Sequence, residues 1–451
     1  MPAPVTPRGR HDGPLSGAYR AVWRWHFYAG LFTLPVLCLM ALTGAVYLFK
    51  AEIEEGLYGR WLNVPVRAGQ TAPDRWARAA EAALGGRASA VTTPERPGRA
   101  AIVTVETAGG ERRAWVDPYD AHVLGSAEGE GALGVVKQIH SLSLFGKPFN
   151  ILVEIVAGWA VILVATGIFL WWPRRRDAAT FVVRKGVGAG RRAFWRDLHA
   201  LTGLYAGLVV AFLAVTGMPW SAVWGDRFLG AMRESGLGRP PAPAASGGWE
   251  HAEHDDAPAG TGWTMEAAVL SAPGDGDVGL AAVFAAVDAA GMPRPYTVSI
   301  PREPDRAFTA SRVAQRAEDA RSLYVDPHTG RIIGDARWPA FGVGAKAFEW
   351  GIAVHEGRQY GWANRIVMLS GCVAVWLLAT SALAMWWKRR PKGMLGAPAA
   401  PPGPRARAAV LGIVLPLAIL YPLTGLSLLA AILVDHAYRA LRVRRPLVEA
   451  A

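Results

Sequence analysis

Five stretches of the chain carry no charged residue: 27–49, 155–172, 200–225, 366–387 and 408–434. A helix of about 20 apolar residues crosses the hydrocarbon core of a bilayer, so each stretch is long enough to span. The first is too long for a signal peptide, and Lys50 and Glu52 follow it without a small-residue cleavage pattern, so it reads as a retained anchor. Between the spans the pattern changes. "AWVDPYDAHVLG" (114–125) and "LYVDPHTGRIIG" (323–334) each read as strand, Asp-Pro turn, strand. "GRPPAPAASGGWEHAEHDDAPAGTG" (238–262) is rich in Pro, Gly and Ala and reads as a flexible insertion.

The pattern repeats. "WRWHFYAG" before the first span resembles "WRDLHALTG" before the third, and His26–Gly44 and His199–Gly217 have the same spacing of 18 residues. The second and fourth spans correspond at a constant offset of 215, which pairs His140 with His355, Gly146 with Gly361, Trp171 with Trp386 and Arg174 with Arg389. The pattern predicts duplicated two-span repeats that form a four-helix core, with α+β insertions between spans 1–2 and 3–4 and a C-terminal hydrophobic helix. Two repeats of like orientation imply a pseudo-twofold axis along the membrane normal, across which equivalent residues face each other.

Charge sets the orientation. The net charge of +12 raises the question of nucleic acid, but eight Lys/Arg crowd 174–196 and six more lie between 388 and 407. Basic residues in short loops beside spans mark the cytoplasmic side, so no nucleic-acid partner is expected. The expected order begins with a cytoplasmic tail (1–22), span 1 (23–50), an external domain (51–137) and span 2 with a preceding interfacial segment (138–172). A basic loop (173–194), span 3 (195–225) and a second external domain (226–346) follow. Span 4 with its interfacial segment (347–388), a linker (389–407), the C-terminal helix (408–436) and a tail (437–451) complete it. Pro416 and Pro422 interrupt that last helix, which leaves its topology open.

Two cysteines, Cys38 and Cys372, lie inside spans, and no C-x-x-C-H motif is present for covalent haem. The histidines carry the candidate chemistry. His26 and His199 are equivalent at one end of their helices, and His140 and His355 at the other. Each pair can meet at the axis, one near either membrane surface. One reading makes all four interfacial histidines bonded to headgroups or backbone. The other makes each pair a ligand set. Zinc wants further ligands, and only Glu154, Glu349 and Glu356 lie near. A non-covalent haem needs just two axial imidazoles, with Arg24, Arg196, Lys147, Arg358 and Arg365 at hand for its propionates. Small residues in the spans, among them Gly30, Gly44, Gly167, Gly203, Gly207 and Gly371, suit either a flat macrocycle or close helix packing. "GVGAG" (186–190) lacks the strand and acidic residue of a dinucleotide site, so the electron donor is external. His251 and His254 fall in the insertion, His11 in a polar tail, and His122 and His328 in the hairpin regions, all expected at the surface. His436 follows Asp435 at the end of the last run.

"IHSLSLFGKPFNILVEIVAGWAVILVATGIFLWWPRR", "DLHALTGLYAGLVVAFLAVTG" and "VHEGRQYGWANRIVMLSGCVAVWLLATSALAMWWKRR" resemble the PepSY-associated transmembrane family, which includes siderophore-iron reductases of the ferrioxamine-reductase type. The resemblance covers nearly the whole chain, with the external domains similar to PepSY domains. It departs at Thr380–Ser381–Ala382, where the other spans have Thr-Gly, which suggests a looser packing constraint there. The resemblance implies a multi-pass protein of the bacterial inner membrane with large periplasmic domains and two haem b groups held non-covalently by histidine pairs. His26 and His199 would ligate the iron of one, His140 and His355 that of the other. It implies a reductase that passes electrons from an external donor, a quinol or a cytoplasmic reductase, to a ferric siderophore. Two other classes compete: a non-enzymatic PepSY protein that binds peptides or restrains proteases, and a siderophore transporter. A transporter should show charged or broken helices at mid-membrane, and the four core runs contain no charge.

Overall fold

The computed structural model describes residues 14–172, 181–184, 188–240, 278–302, 306–390, 412, 414–416 and 418–443. The insertion beyond residue 240, most of the linker 389–407, the tail from 444, and His11, His251, His254 and the His436 side chain lie outside the described residues. The chain divides into two compact units, one of residues 1–45, 140–226 and 366–451, the other of residues 46–139 and 227–365.

The first unit holds α1 (Pro14–Tyr47), α5 (Lys147–Trp171), α6 (Arg192–Gly217) and α10 (Gly361–Trp387), numbered by position in the chain. Among the described residues, these form the four helices long and apolar enough to cross a membrane. Their buried polar side chains follow a rule of low-dielectric helices, returning a hydroxyl to a carbonyl one turn back. Thr33 donates to Ala29 O at 2.9 Å, Thr43 to Leu39 O at 2.8 Å and Thr216 to Phe212 O at 2.7 Å. α6 stops at Gly217 because Pro219 cannot donate, and a 3-10 turn (Met218–Trp220) carries the chain on. The fifth uncharged run is not one helix. Residues 418–420 are helical, the chain bends at Tyr421, and Pro422 opens α11 (Pro422–Val443), whose apolar part Pro422–Val434 is shorter than a span. The span helices are not free of ionisable groups: Glu154 sits in α5, fully buried, accepting from the N–H groups of Val223 and Trp224 at 3.3 and 3.1 Å. The uncharged run begins one residue later, which hid it.

The second unit is built on an eight-stranded antiparallel sheet of order β4-β3-β2-β1-β5-β6-β7-β8. The first four strands are β1 (Arg87–Thr92), β2 (Ala101–Thr107), β3 (Gly110–Val116) and β4 (Val123–Glu128), preceded by α2 (Lys50–Leu62) and α3 (Pro73–Leu84). The last four are β5 (Thr297–Ser299), β6 (Phe308–Ser311), β7 (Arg321–Val325) and β8 (Ile332–Arg337), preceded by α7 (Trp224–Glu234) and α8 (Gly279–Ala289). The halves join edge to edge through β1 and β5, where Val91 faces Val298 and the hydroxyls of Thr92 and Thr297 meet at 2.8 Å. Fusing two edges leaves fewer unpaired ladder groups than two separate sheets would. Trp76 of α3 and Phe284 of α8 meet edge to face at 6.4 Å over fully buried Val91, Val103, Val298 and Leu323. Asp74 at the start of α3 caps α8, accepting from Leu280 N at 3.0 Å and Ala281 N at 2.8 Å.

Both Asp-Pro segments are hairpins. Asp117 Oδ1 accepts from Tyr119 N at 2.9 Å and Asp326 Oδ1 from His328 N at 2.8 Å, the same Asx turn in each. The second turn uses Gly330 at φ +66°, and the first places Ala121 at φ +62° in the same position. Glycine enters that region freely and alanine does not, so the two hairpins solve one backbone problem with unequal strain. α4 (Ala132–His140) and α9 (Val343–His355) follow the two half-sheets. The chain is an α-helical membrane protein carrying α+β structure.

Candidate functional site

Within the membrane unit the structure brings two of the four candidate histidines together. His26 of α1 and His199 of α6 have ring centroids 6.4 Å apart and ring planes at 89°. Each ring is held at Nδ1. His26 Nδ1 lies 2.8 Å from Thr166 Oγ1, and that hydroxyl already donates its one hydrogen to Ile162 O at 2.7 Å. The oxygen can then only accept, so Nδ1 carries the proton and Nε2 presents a bare lone pair. His199 Nδ1 lies 3.0 Å from Ser381 Oγ and 3.1 Å from Leu378 O, while Ser381 Oγ donates to Leu377 O at 2.6 Å. The same logic fixes the same tautomer. His140 repeats the arrangement, its Nδ1 2.9 Å from Thr43 Oγ1, whose hydrogen goes to Leu39 O at 2.8 Å.

Metal-bound histidines show this pattern, one ring nitrogen on the metal and the other N–H given to a fixed acceptor. Two imidazoles bound end-on to opposite sides of one metal, at about 2.0–2.1 Å per bond, carry their ring centres roughly 6 Å apart. The His26–His199 separation of 6.4 Å fits that spacing. Among the described residues no group of three or more His, Cys, Asp or Glu side chains comes together. Two neutral imidazoles alone suit a metal whose equatorial ligands come from elsewhere, as in a haem, better than a tetrahedral zinc.

These hydroxyl anchors were missed in the sequence. Thr166 and Ser381 differ by 381 − 166 = 215, so they are equivalents under the repeat offset. Ser381 is fully buried and takes up the role of Thr166, whereas Thr380 is exposed and bonds back to its own helix, to Trp376 O at 2.9 Å and Leu377 O at 3.2 Å. At the offset of 215, Ser381 stands at the position of Thr166 and Ala382 at that of Gly167. Two glycines also gain a specific reason. A Cβ on Gly44 would lie 3.3 Å from His140 Cε1, and one on Gly167 3.4 Å from His26 Cε1, so these positions leave room for imidazole. Gly203, Gly207 and Gly371 instead abut Leu378, Val164 and Val209 and serve helix packing.

His355 closes α9 in the other unit, half-buried. The loop that follows it is bolted within that unit: Gln359 Oε1 accepts from Ala317 N at 2.8 Å, and Arg358 pairs with Glu356 at 2.7 Å. Of the other proposed propionate partners, Arg365 pairs with Glu52, and Arg24 lies over the Tyr28 ring at 5.1 Å. Arg196 joins Arg184 on buried Asp197, at 3.0 and 2.9 Å. In the membrane unit, Asp197 is thus a second buried carboxylate, two residues before His199 on α6.

A family model described as PepSY-associated TM region matches residues 23–389, a stretch that includes all four histidines. No curated protein matches the chain.

Proposed function

The chain belongs to the PepSY-associated TM family, and from that premise we propose that it is a haem b-containing membrane reductase that passes electrons across the bilayer to ferric siderophore iron. One observation carries the reading: His26 and His199 stand 6.4 Å apart, each with Nδ1–H fixed on a back-bonded hydroxyl. Haem held there by His26 and His199 would supply one-electron chemistry at a potential set by those histidines and their hydrogen bonds. The residues do the rest. Thr166 and Ser381 hold the rings in the tautomer that offers Nε2, and their hydroxyls keep electron density on the imidazoles. Trp159, Ile162, Ala29 and Val22 pack a buried apolar wall along the helices that carry His26 and Thr166 and limit water there. The repeat offset of 215 supports His140 and His355 as the second ligand pair, and the pinned Nδ1 of His140 agrees with that role. The large domains are read as periplasmic, the basic loops as facing the cytoplasm of a bacterial inner membrane, and the siderophore as docking outside. Peptide binding or protease restraint, and siderophore transport, leave the paired neutral imidazoles without a task.

The test is the absorption of the purified, detergent-solubilised protein. The dithionite-reduced minus oxidised spectrum is expected to show b-type haem at about two per chain. His26→Ala and His199→Ala should each remove the same haem, and His140→Ala and His355→Ala the other. A colourless protein from haem-replete cells overturns the reading.

A further inference from the structure

The membrane unit has two corresponding seams that are finished differently. Along α1 and α5, the C-terminal segment lies against the bundle: Val414, Ala418 and Leu428 are buried with Ala29, Trp159 and Ile162. Trp159 Nε1 donates to Ser427 Oγ at 2.8 Å, and Gly158 abuts Thr424 so closely that no Cβ fits. The repeat offsets, 199 − 26 = 173 for α1 to α6 and 215 for α5 to α10, carry these positions to the other seam. Ala29 becomes Thr202, Gly158 becomes Val373, Trp159 becomes Ala374 and Ile162 becomes Leu377. All four line an apolar groove of about 570 Å³ between α6 and α10, with Tyr205 and Leu369. Leu369 itself stands where the first seam has the buried Glu154. Val373 removes the glycine slot and Ala374 removes the indole donor, so a helix packed like α11 does not fit. A thinner hydrocarbon chain does.

Farther along the same seam, a second cavity of about 560 Å³ is lined by Trp195, Trp386, Trp387, Leu383 and Lys388. Trp195 lies one turn before His199 on α6. Leu378 and Ser381, which hold His199 Nδ1, fall between groove residue Leu377 and cavity residue Leu383 on α10. The polar groups at the cavity are engaged within the chain: Lys388 Nζ donates to Gly190 O at 2.9 Å and Trp195 Nε1 to Ala189 O at 2.8 Å, while Arg390, outside the lining, stacks over one face of Trp387 at 3.8 Å and of Trp386 at 4.8 Å. With both cations engaged and the lining otherwise indole and aliphatic, the cavity suits a flat ring better than a phosphate.

We propose that the α6–α10 seam binds an isoprenoid quinol, its ring among Trp195, Trp386 and Trp387 and its tail in the Val373–Leu377 groove. This rests on the reductase reading and names the class of its electron donor. A bound quinol would break two O–H bonds, release two protons to water at the basic end of the helices, and give up two electrons, one at a time, to the ferric haem that His26 and His199 would hold, each electron ending on one ferric siderophore iron. It leaves as the quinone.

The experiment uses the full chain in nanodiscs and reads quenching of tryptophan fluorescence by decylubiquinone and by its tailless ring analogue. Decylubiquinone should bind saturably and more tightly than the analogue. Val373→Trp, at an exposed position lining the groove, should weaken it about tenfold or more, and Leu208→Trp, still more exposed on α6 but off the groove, should not. Equal binding of the two ligands, no response to Val373→Trp, or displacement by an equal occupancy of phosphatidylglycerol overturns the proposal. The readout needs no haem, so the two readings fail separately. A red protein that dithionite reduces but decylubiquinol neither binds nor reduces sinks the quinol seam alone. A colourless protein that binds decylubiquinone with this selectivity sinks the reductase and keeps the seam.

Discussion

In the sheet unit, a buried charge meets an opposite charge. Arg239, 4% exposed, bonds Glu349, 9% exposed, at 2.5 Å, and Asp335 lies between Arg321 and Arg337 at 2.8 Å from each. In the membrane unit, the buried polar groups that matter most are neutral. Thr43, Thr166 and Ser381 turn their hydrogens to carbonyls of their own helices and their oxygens to imidazoles. The difference follows from the surroundings. A buried ion pair such as Arg239–Glu349 offsets its desolvation only through its partner, whereas in hydrocarbon a lone charge costs several kcal/mol and a satisfied hydroxyl almost nothing. The candidate ligand set is accordingly anchored by hydroxyls, and the sheet unit, which must stay folded, uses paired charge.

The sharpest way to break this contrast is to remove one partner on each side. Arg239→Ala leaves Glu349 buried without its cation, and loss of one member of such a pair costs about 3–5 kcal/mol. The sheet unit should become protease-sensitive and melt earlier, while the spectrum of the haem proposed for the membrane unit should keep its shape. Replacing both residues, as Arg239→Met with Glu349→Leu, should recover most of the loss. If the single variant melts like the parent, buried charge is not what holds this unit together.

On the membrane side the effect is smaller and falls on the ligand. Removing the acceptor behind a metal-bound histidine weakens metal binding by about 10–100-fold. Thr166→Val takes away the hydroxyl that accepts from His26 Nδ1, whereas Ser381→Ala leaves His199 the Leu378 carbonyl at 3.1 Å. On the proposed reading, Thr166→Val should accordingly lose more haem and shift the midpoint potential further than Ser381→Ala. Equal losses, or a larger one at Ser381, would mean that the carbonyl does not share the load.

The spans and both hairpins were legible because their signals are local: an uncharged run of 18 or more residues, and an Asx turn between two strand patterns. The approach of His26 to His199, 6.4 Å between ring centroids, was foreshadowed by their matched spacing to Gly44 and Gly217. The joining of the half-sheets was not. β5 has three residues, and its partner β1 lies some 200 positions earlier, so no pattern in either strand names the other. The hydroxyl anchors were hidden for a different reason. A threonine bonded to its own helix looks the same in sequence whether or not an imidazole stands beside it, and at Ser381 the neighbouring Thr380 offered a false match. Glu154 escaped because it sits one residue outside the run that marked the span.

The gentlest probe of the contrast is pH. Hydrogen bonds from Arg321 and Arg337 hold the Asp335 carboxyl down to about 2, below its ordinary value. A carboxylate depressed in the folded state adds stability that is present above its unfolded value near 4 and is lost as pH falls through about 2. With Arg337 largely exposed and solvent screening the pair, its share is on the order of 1–2 kcal/mol. Asp335→Asn should lower the melting point of the sheet unit at pH 7 and erase that part of its acid dependence between pH 4 and 2. The same titration should leave the tautomers of His26 and His199 untouched, because among the described residues no carboxylate is hydrogen-bonded to either ring. A parallel acid shift in the haem spectrum of Asp335→Asn and the parent would therefore place its cause in the membrane unit, whereas a shift confined to the parent would tie the two units together energetically and undo the separation drawn between them.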